Sequence, residues 1–114
     1  MSNLEETGLE THGSHGSNNS MLSVEVARTS EEFRVGLMGR RDVRDGMLFV
    51  VGASPSRPSF WMKNTLVPLN MEFLDADLRV VDAHYNVQPH DLTLRRPSFD
   101  ACFVLETPAH MPEM

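Results

Sequence analysis

From Met21 onward the chain alternates apolar and polar positions. Leu22, Val24 and Val26 interleave with Ser23, Glu25 and Ala27, the period-two pattern of a half-buried strand. Thr29-Ser30-Glu31-Glu32 has the spacing of a capping box, in which Thr29 and Glu32 each satisfy the other's backbone amide. It predicts a short helix with Phe33 and Leu37 on one face and Gly39 as its stop. The continuous apolar run Met47-Leu48-Phe49-Val50-Val51 reads as a central strand, and Ser59 to Thr65 as the next. Leu69, Met71 and Phe73 share a face of a further strand. Asp75-Ala76-Asp77 turns that strand into a partner over Leu78 to Val87, a hairpin. After a Pro- and Arg-containing loop over 88–100, Ala101 to Glu106 makes a last strand, and Thr107 to Met114 a short frayed tail.

Six strands and one helix predict a mainly antiparallel α+β domain over 21–106, barrel-like or sandwich-like so as to limit exposed edges. Residues 1–20 do not fit this pattern. Thr11-His12-Gly13-Ser14-His15-Gly16-Ser17-Asn18-Asn19-Ser20 offers nothing to bury against itself and predicts a flexible arm.

At 114 residues the chain is one domain, long enough for a core without metal or disulfide staples. Its 10 basic and 16 acidic residues give a net charge of −6, which argues against non-specific nucleic-acid binding. Lys63 is the single Lys. Cys102 is the single Cys, so no internal disulfide framework exists and the redox compartment stays open. Neither a membrane-spanning apolar run nor a secretory leader is present, which points to the cytoplasm or to an assembled particle.

Gly36-Leu37-Met38-Gly39-Arg40, Gly46-Met47-Leu48-Phe49, Phe60-Trp61-Met62-Lys63-Asn64-Thr65 with Pro68-Leu69, and Val104-Leu105-Glu106 occur in this order. In that combination the chain resembles the DUF192 family of small uncharacterised proteins over about residues 22–106. The resemblance implies a compact β-barrel-like fold with little helix, and no established activity. The chain departs from the family pattern at Asn70, where members usually carry Asp, and in lacking a Gly-containing segment after the last strand. A neutral amide at 70 cannot act as a base.

If Ser59–Thr65 is a strand, Trp61, Lys63 and Thr65 point to one side and Phe60, Met62 and Asn64 to the other. The first set, with Arg40, is a candidate ligand or partner surface: Trp61 supplies a flat apolar face and Lys63 an anion contact. Packing is the alternative reading of such a strand. Arg40, Arg41 and Arg44 suit carboxylate or phosphate, but Asp42 and Asp45 lie among them and surface pairing explains them more simply. His12 and His15, and His84 and His90 with Asp82 and Asp91, are sparse sets for a metal. No metal or other cofactor is expected. Cys102 lies between apolar neighbours and reads as a small buried residue. Met38, Met47, Met62 and Met71 read as core. Glu72, Asp75 and Asp77 could pair as carboxylates, but Asp is common in turns for backbone reasons.

These observations predict a non-catalytic binding or assembly module. Its arm, through Thr11, His12, His15, Asn18 and Asn19, would dock on a neighbouring protein or a second copy. Such a module could be an accessory subunit of a larger particle such as a viral shell or surface layer. The alternative is a small enzyme or ligand-binding protein using Trp61, Lys63 and Arg40. That alternative requires a concave pocket at those side chains and a perturbed ionisable group.

Overall fold

The computed structural model describes residues 4–12, 19–52 and 54–109. Six strands form one mixed sheet: β1 Glu5–His12, β2 Asn19–Ala27, β3 Met47–Val50, β4 Leu69–Leu74, β5 Val80–Val87 and β6 Phe103–Pro108. A single helix, α1 Ser30–Val35, lies between β2 and β3. The strand order is β1-β2-β3-β6-β4-β5. β2 and β3 run parallel; every other adjacent pair is antiparallel. The fold is therefore mainly β with one short helix, as the pattern predicts. Among the described residues no helix is long and apolar enough to cross a membrane.

Four elements differ from the sequence reading. Glu5–His12 is not a free arm. It pairs along its whole length with β2, Leu9 opposite Leu22. An edge strand needs only one neighbour's backbone, and Leu9, buried at 7% exposure, anchors it. Thr11 and His12 thus lie in β1, opposite Ser20 and Asn19; His15 and Asn18 lie outside the described residues. The helix stops at Gly36 (φ +48), whose amide donates to the Glu32 carbonyl, and not at Gly39. Its start is the expected capping box between Thr29 and Glu32. The last strand continues through Thr107 and Pro108, which pair with Asn70 and Leu69 of β4. β3 pairs with β6 only as far as Glu106, so Pro108 lies beside one strand only, where a missing amide is tolerated.

The fourth difference concerns Ser59–Thr65, which is a loop and not a strand. One isolated bridge joins Phe60 to Arg95. The Met62 amide donates to the Asp91 carbonyl, and the Thr65 amide turns back to the Met62 carbonyl. Asn64 takes a left-handed backbone, φ +55. The turn cancels the alternation: Phe60, Met62 and Thr65 are buried, while Trp61, Lys63 and Asn64 are exposed. The predicted grouping of Trp61, Lys63 and Thr65 on one face is therefore corrected.

The sheet buries both faces. On one, Met47 and Phe49 of β3, Leu69, Met71 and Phe73 of β4 and Val104 of β6 meet Phe60 and Met62 of the loop. Phe33 of α1 packs against that cluster. On the other, Leu9, Val24, Leu48, Leu74 and Leu105 form a smaller cluster. Cys102 and three of the four methionines read as core are buried; Met38 is half-buried.

Candidate functional site

A cavity of about 480 Å³ opens on the larger-core face, between α1, the Ser59–Thr65 loop and the sheet. Its aromatic wall is a contact series. Phe33 meets Phe49 edge-to-face at 5.2 Å between ring centroids, and Phe49 meets Phe60 edge-to-face at 4.9 Å. Gly36 lies beside this wall with φ +48, a backbone that suits Gly, and a Cβ there would be in ordinary contact with the Phe49 ring edge at 3.5 Å. Trp61 lies at the rim, 44% exposed, with the Lys63 ammonium 5.3 Å from its ring centroid. That distance is within the range of a cation–π contact.

The floor is unusual. Glu106 faces the same side of the sheet as Val104, and its register partners on either side are Met47 of β3 and Met71 of β4, both fully buried. Glu106 is itself only 4% exposed, lines the cavity, and has no side-chain hydrogen bond among the described residues. Burial between two thioethers penalises the carboxylate form, so its pKa is pushed up to about 8. At neutral pH the cavity thus holds a carboxylic acid with a proton to give.

Of the four residues named from sequence, Trp61, Lys63 and Thr65 line this cavity and Arg40 does not. Arg40 grips Glu25 of β2 with two bonds, Nη1 to Oε2 at 2.9 Å and Nη2 to Oε1 at 2.6 Å. It borders a separate hollow of about 310 Å³ on the far side of α1's end. Surface pairing of the Arg cluster with Asp42 and Asp45 is corrected in the same way. Asp42 accepts from the Arg44 amide, and Asp45 from the Ser23 amide.

Most of the other candidate groups have structural partners, though the buried Nε2 of His84 has none among the described residues. Asp82 accepts from the Ser98 and Ala83 amides, and Asp91 from the Thr93 amide and Arg95. The His84 ring stands against Phe73 at 6.0 Å, and His90 is exposed. Glu72 accepts from the Tyr85 hydroxyl, and Asp75 from the amides of Asp77 and Arg79. Asn70 accepts from the Asn86 amide at 2.9 Å and is not part of the cavity. An Asp would accept the same bond, so the departure at 70 leaves this geometry intact.

Sequence reasoning did not single out Glu106, Phe33 or Phe49. For Glu106 a signal existed: period-two counting from buried Val104 puts an acid on the inward face.

No curated protein matches the chain significantly. Two solved structures are similar. One, a protein of unknown function from Novosphingobium aromaticivorans, is 33% identical with a TM-score of 0.86; the match covers 96% of this chain and 78% of that one. The other, from Sinorhizobium meliloti and described as a "putative transcription regulator", is 28% identical with a TM-score of 0.87, covering 96% and 84%. The sequence matches the family DUF192, described as an uncharacterized ACR, over residues 11–113. With nearly its whole length matched and its four motif blocks in place, the chain belongs to the DUF192 family.

Proposed function

We propose that this chain is a small-molecule-binding domain whose ligand occupies the cavity between α1, the Ser59–Thr65 loop and the sheet. One observation carries this reading. Segments far apart in sequence, the same four on which the family resemblance rests, each send residues to one hollow: Gly36, Phe49, Trp61 and Glu106 are examples. A hollow that combines aromatic residues with convergent polar groups and a shifted ionisable side chain has the physical character of a ligand site.

The test is a thermal-shift screen of small metabolites on the wild type and on Ser59→Phe. Ser59 is an exposed cavity-lining residue, so the larger ring obstructs the hollow with little effect on the core. The expected result is a small set of compounds that raise Tm for the wild type alone. Equal shifts in both proteins, or none in either, would overturn the proposal.

Protein docking through residues 1–20 is the second reading. Its support is that β1 is the last strand of the sheet on its side, and such an edge can accept another strand. It requires a complex of defined size in sedimentation of the full chain, alone or with its partner. The regulator description of the Sinorhizobium meliloti protein gains no support from a chain of net charge −6.

A further inference from the structure

We propose that the cavity takes a small organic anion with a flat apolar body, its charge at Lys63 and an oxygen acceptor at its far end against Glu106. This rests on the ligand-binding reading above and adds the chemical class.

The rim supplies the first argument. Two cations, Arg34 and Lys63, line the cavity, and Arg40 stands nearby. Arg34 is paired with Glu31, and Arg40 with Glu25. Lys63 has no ion pair among the described residues, and its ammonium is held over Trp61. In a chain with six more acids than bases this is an uncompensated positive charge at the mouth of a hollow. It attracts an anion and opposes the entry of a cation.

The walls supply the second. Phe33, Phe49 and Phe60 meet one another at ring edges or tilted. Phe49 and Phe60 are buried behind, so the ring surface that a flat body can meet is that of half-buried Phe33 and exposed Trp61.

The floor supplies the third. Glu106 is a largely buried acid that reaches the cavity with no side-chain hydrogen bond among the described residues, and such a group gains from a partner that can enter. An acceptor oxygen on the ligand meets that need without bringing a second charge to the floor, where Met47 and Met71 flank Glu106. An ammonium would have to leave water, pass Lys63 and ionise Glu106. Burial favours the neutral acid, which is the donor form.

Three matched probes test this by calorimetry, with the fluorescence of Trp61, the single Trp, as a second readout. They are 4-acetylphenylacetate, 4-ethylphenylacetate and 2-(4-acetylphenyl)ethylammonium. The first should saturate the site. Loss of the acetyl oxygen and reversal of the charge should each weaken binding by about ten-fold or more, the equivalent of one good polar contact. Lys63→Met, at an exposed position, should weaken the acetyl anion about ten-fold and leave the ammonium probe no weaker. Glu106→Gln, which keeps a donor, should retain binding of the acetyl anion, and Glu106→Leu should reduce it to the level of the ethyl probe. Circular dichroism confirms that each variant folds. Tightest binding by the ammonium probe, indifference to Lys63→Met, or no binding by any probe would overturn the proposal. The cavity reading itself is judged separately, by whether the Ser59→Phe screen finds any ligand.

Discussion

Gly46 lies against the backbone of Glu106 so closely that a Cβ at 46 would be 1.8 Å from the Glu106 carbonyl oxygen. Its φ is +114, a backbone that side chains rarely adopt. The contact brings the start of β3 beside β6 at the point where Glu106 enters the cavity floor. Both obstacles at Gly46 are backbone, so neither relaxes by turning a side chain. Gly46→Ala should therefore destabilise the domain by about 3 kcal/mol or more. Urea unfolding followed by circular dichroism measures it; a loss below about 1 kcal/mol would show that β3 and β6 tolerate separation there.

Glu106 also sets a pH dependence. Its pKa rises from the ordinary 4.5 to about 8 in the folded chain. Between those values the folded state keeps a proton that the unfolded state has released, so stability falls as pH rises. The cost is absent below pH 4.5, is about 3 kcal/mol by pH 7, and levels off above pH 8. Glu106→Gln removes it. The stability difference between the variant and the wild type should be flat in acid, move in the variant's favour through the neutral range, and flatten again in alkali. Asp82 and Asp91, whose amide hydrogen bonds hold their carboxyls below the usual range, act oppositely in acid and cancel in the comparison. A difference that does not change with pH would show that Glu106 is ionised or solvated in the folded protein.

The sheet could be read from sequence wherever a side chain's own pattern decided its place. Leu69, Met71 and Phe73 alternate because one face of β4 is core, and Thr29 with Glu32 caps α1 because the spacing suits both amides. Reading failed where a distant partner decides. β1 has one buried apolar anchor, Leu9, and owes its conformation to the β2 backbone. Phe60 to Thr65 alternates like a strand, yet amides and carbonyls at Asp91 and Arg95 fold it into a loop. Half of the candidate site was legible for a similar reason. Trp61 and Lys63 stand out as a lone Trp and a lone Lys. Arg40 stood out equally, but its partner Glu25 lies 15 residues away on β2 and only the fold brings them together.

Asn64 holds the loop that carries Trp61 and Lys63. It adopts φ +55, and its carbonyl accepts from the Gly39 amide at 2.8 Å, tying the loop to the chain after α1. Asn tolerates this conformation better than other residues with a side chain, and Gly better still. Asn64→Gly should therefore change stability by only a few tenths of a kcal/mol, whereas Asn64→Val should cost about 1–3 kcal/mol. Chemical denaturation of the pair is the check; equal stabilities would mean that the turn is not fixed in this form.

Arg40 separates packing from binding. Its two bonds to Glu25 lie where both side chains are about a third exposed or less, so the pair is better sheltered than a surface ion pair. Arg40→Met leaves the Glu25 carboxylate without its cation and should cost about 1–2 kcal/mol. Ionic strength should matter less to the wild type than to a protein held by fully exposed pairs, because partly buried charges are screened less. The residue lies outside the cavity, so compounds that shift Tm of the wild type should shift that of Arg40→Met by the same amount. Lower starting stability with unchanged ligand shifts is the expected result. A lost ligand response in a folded Arg40→Met protein would move the site towards the hollow that Arg40 borders.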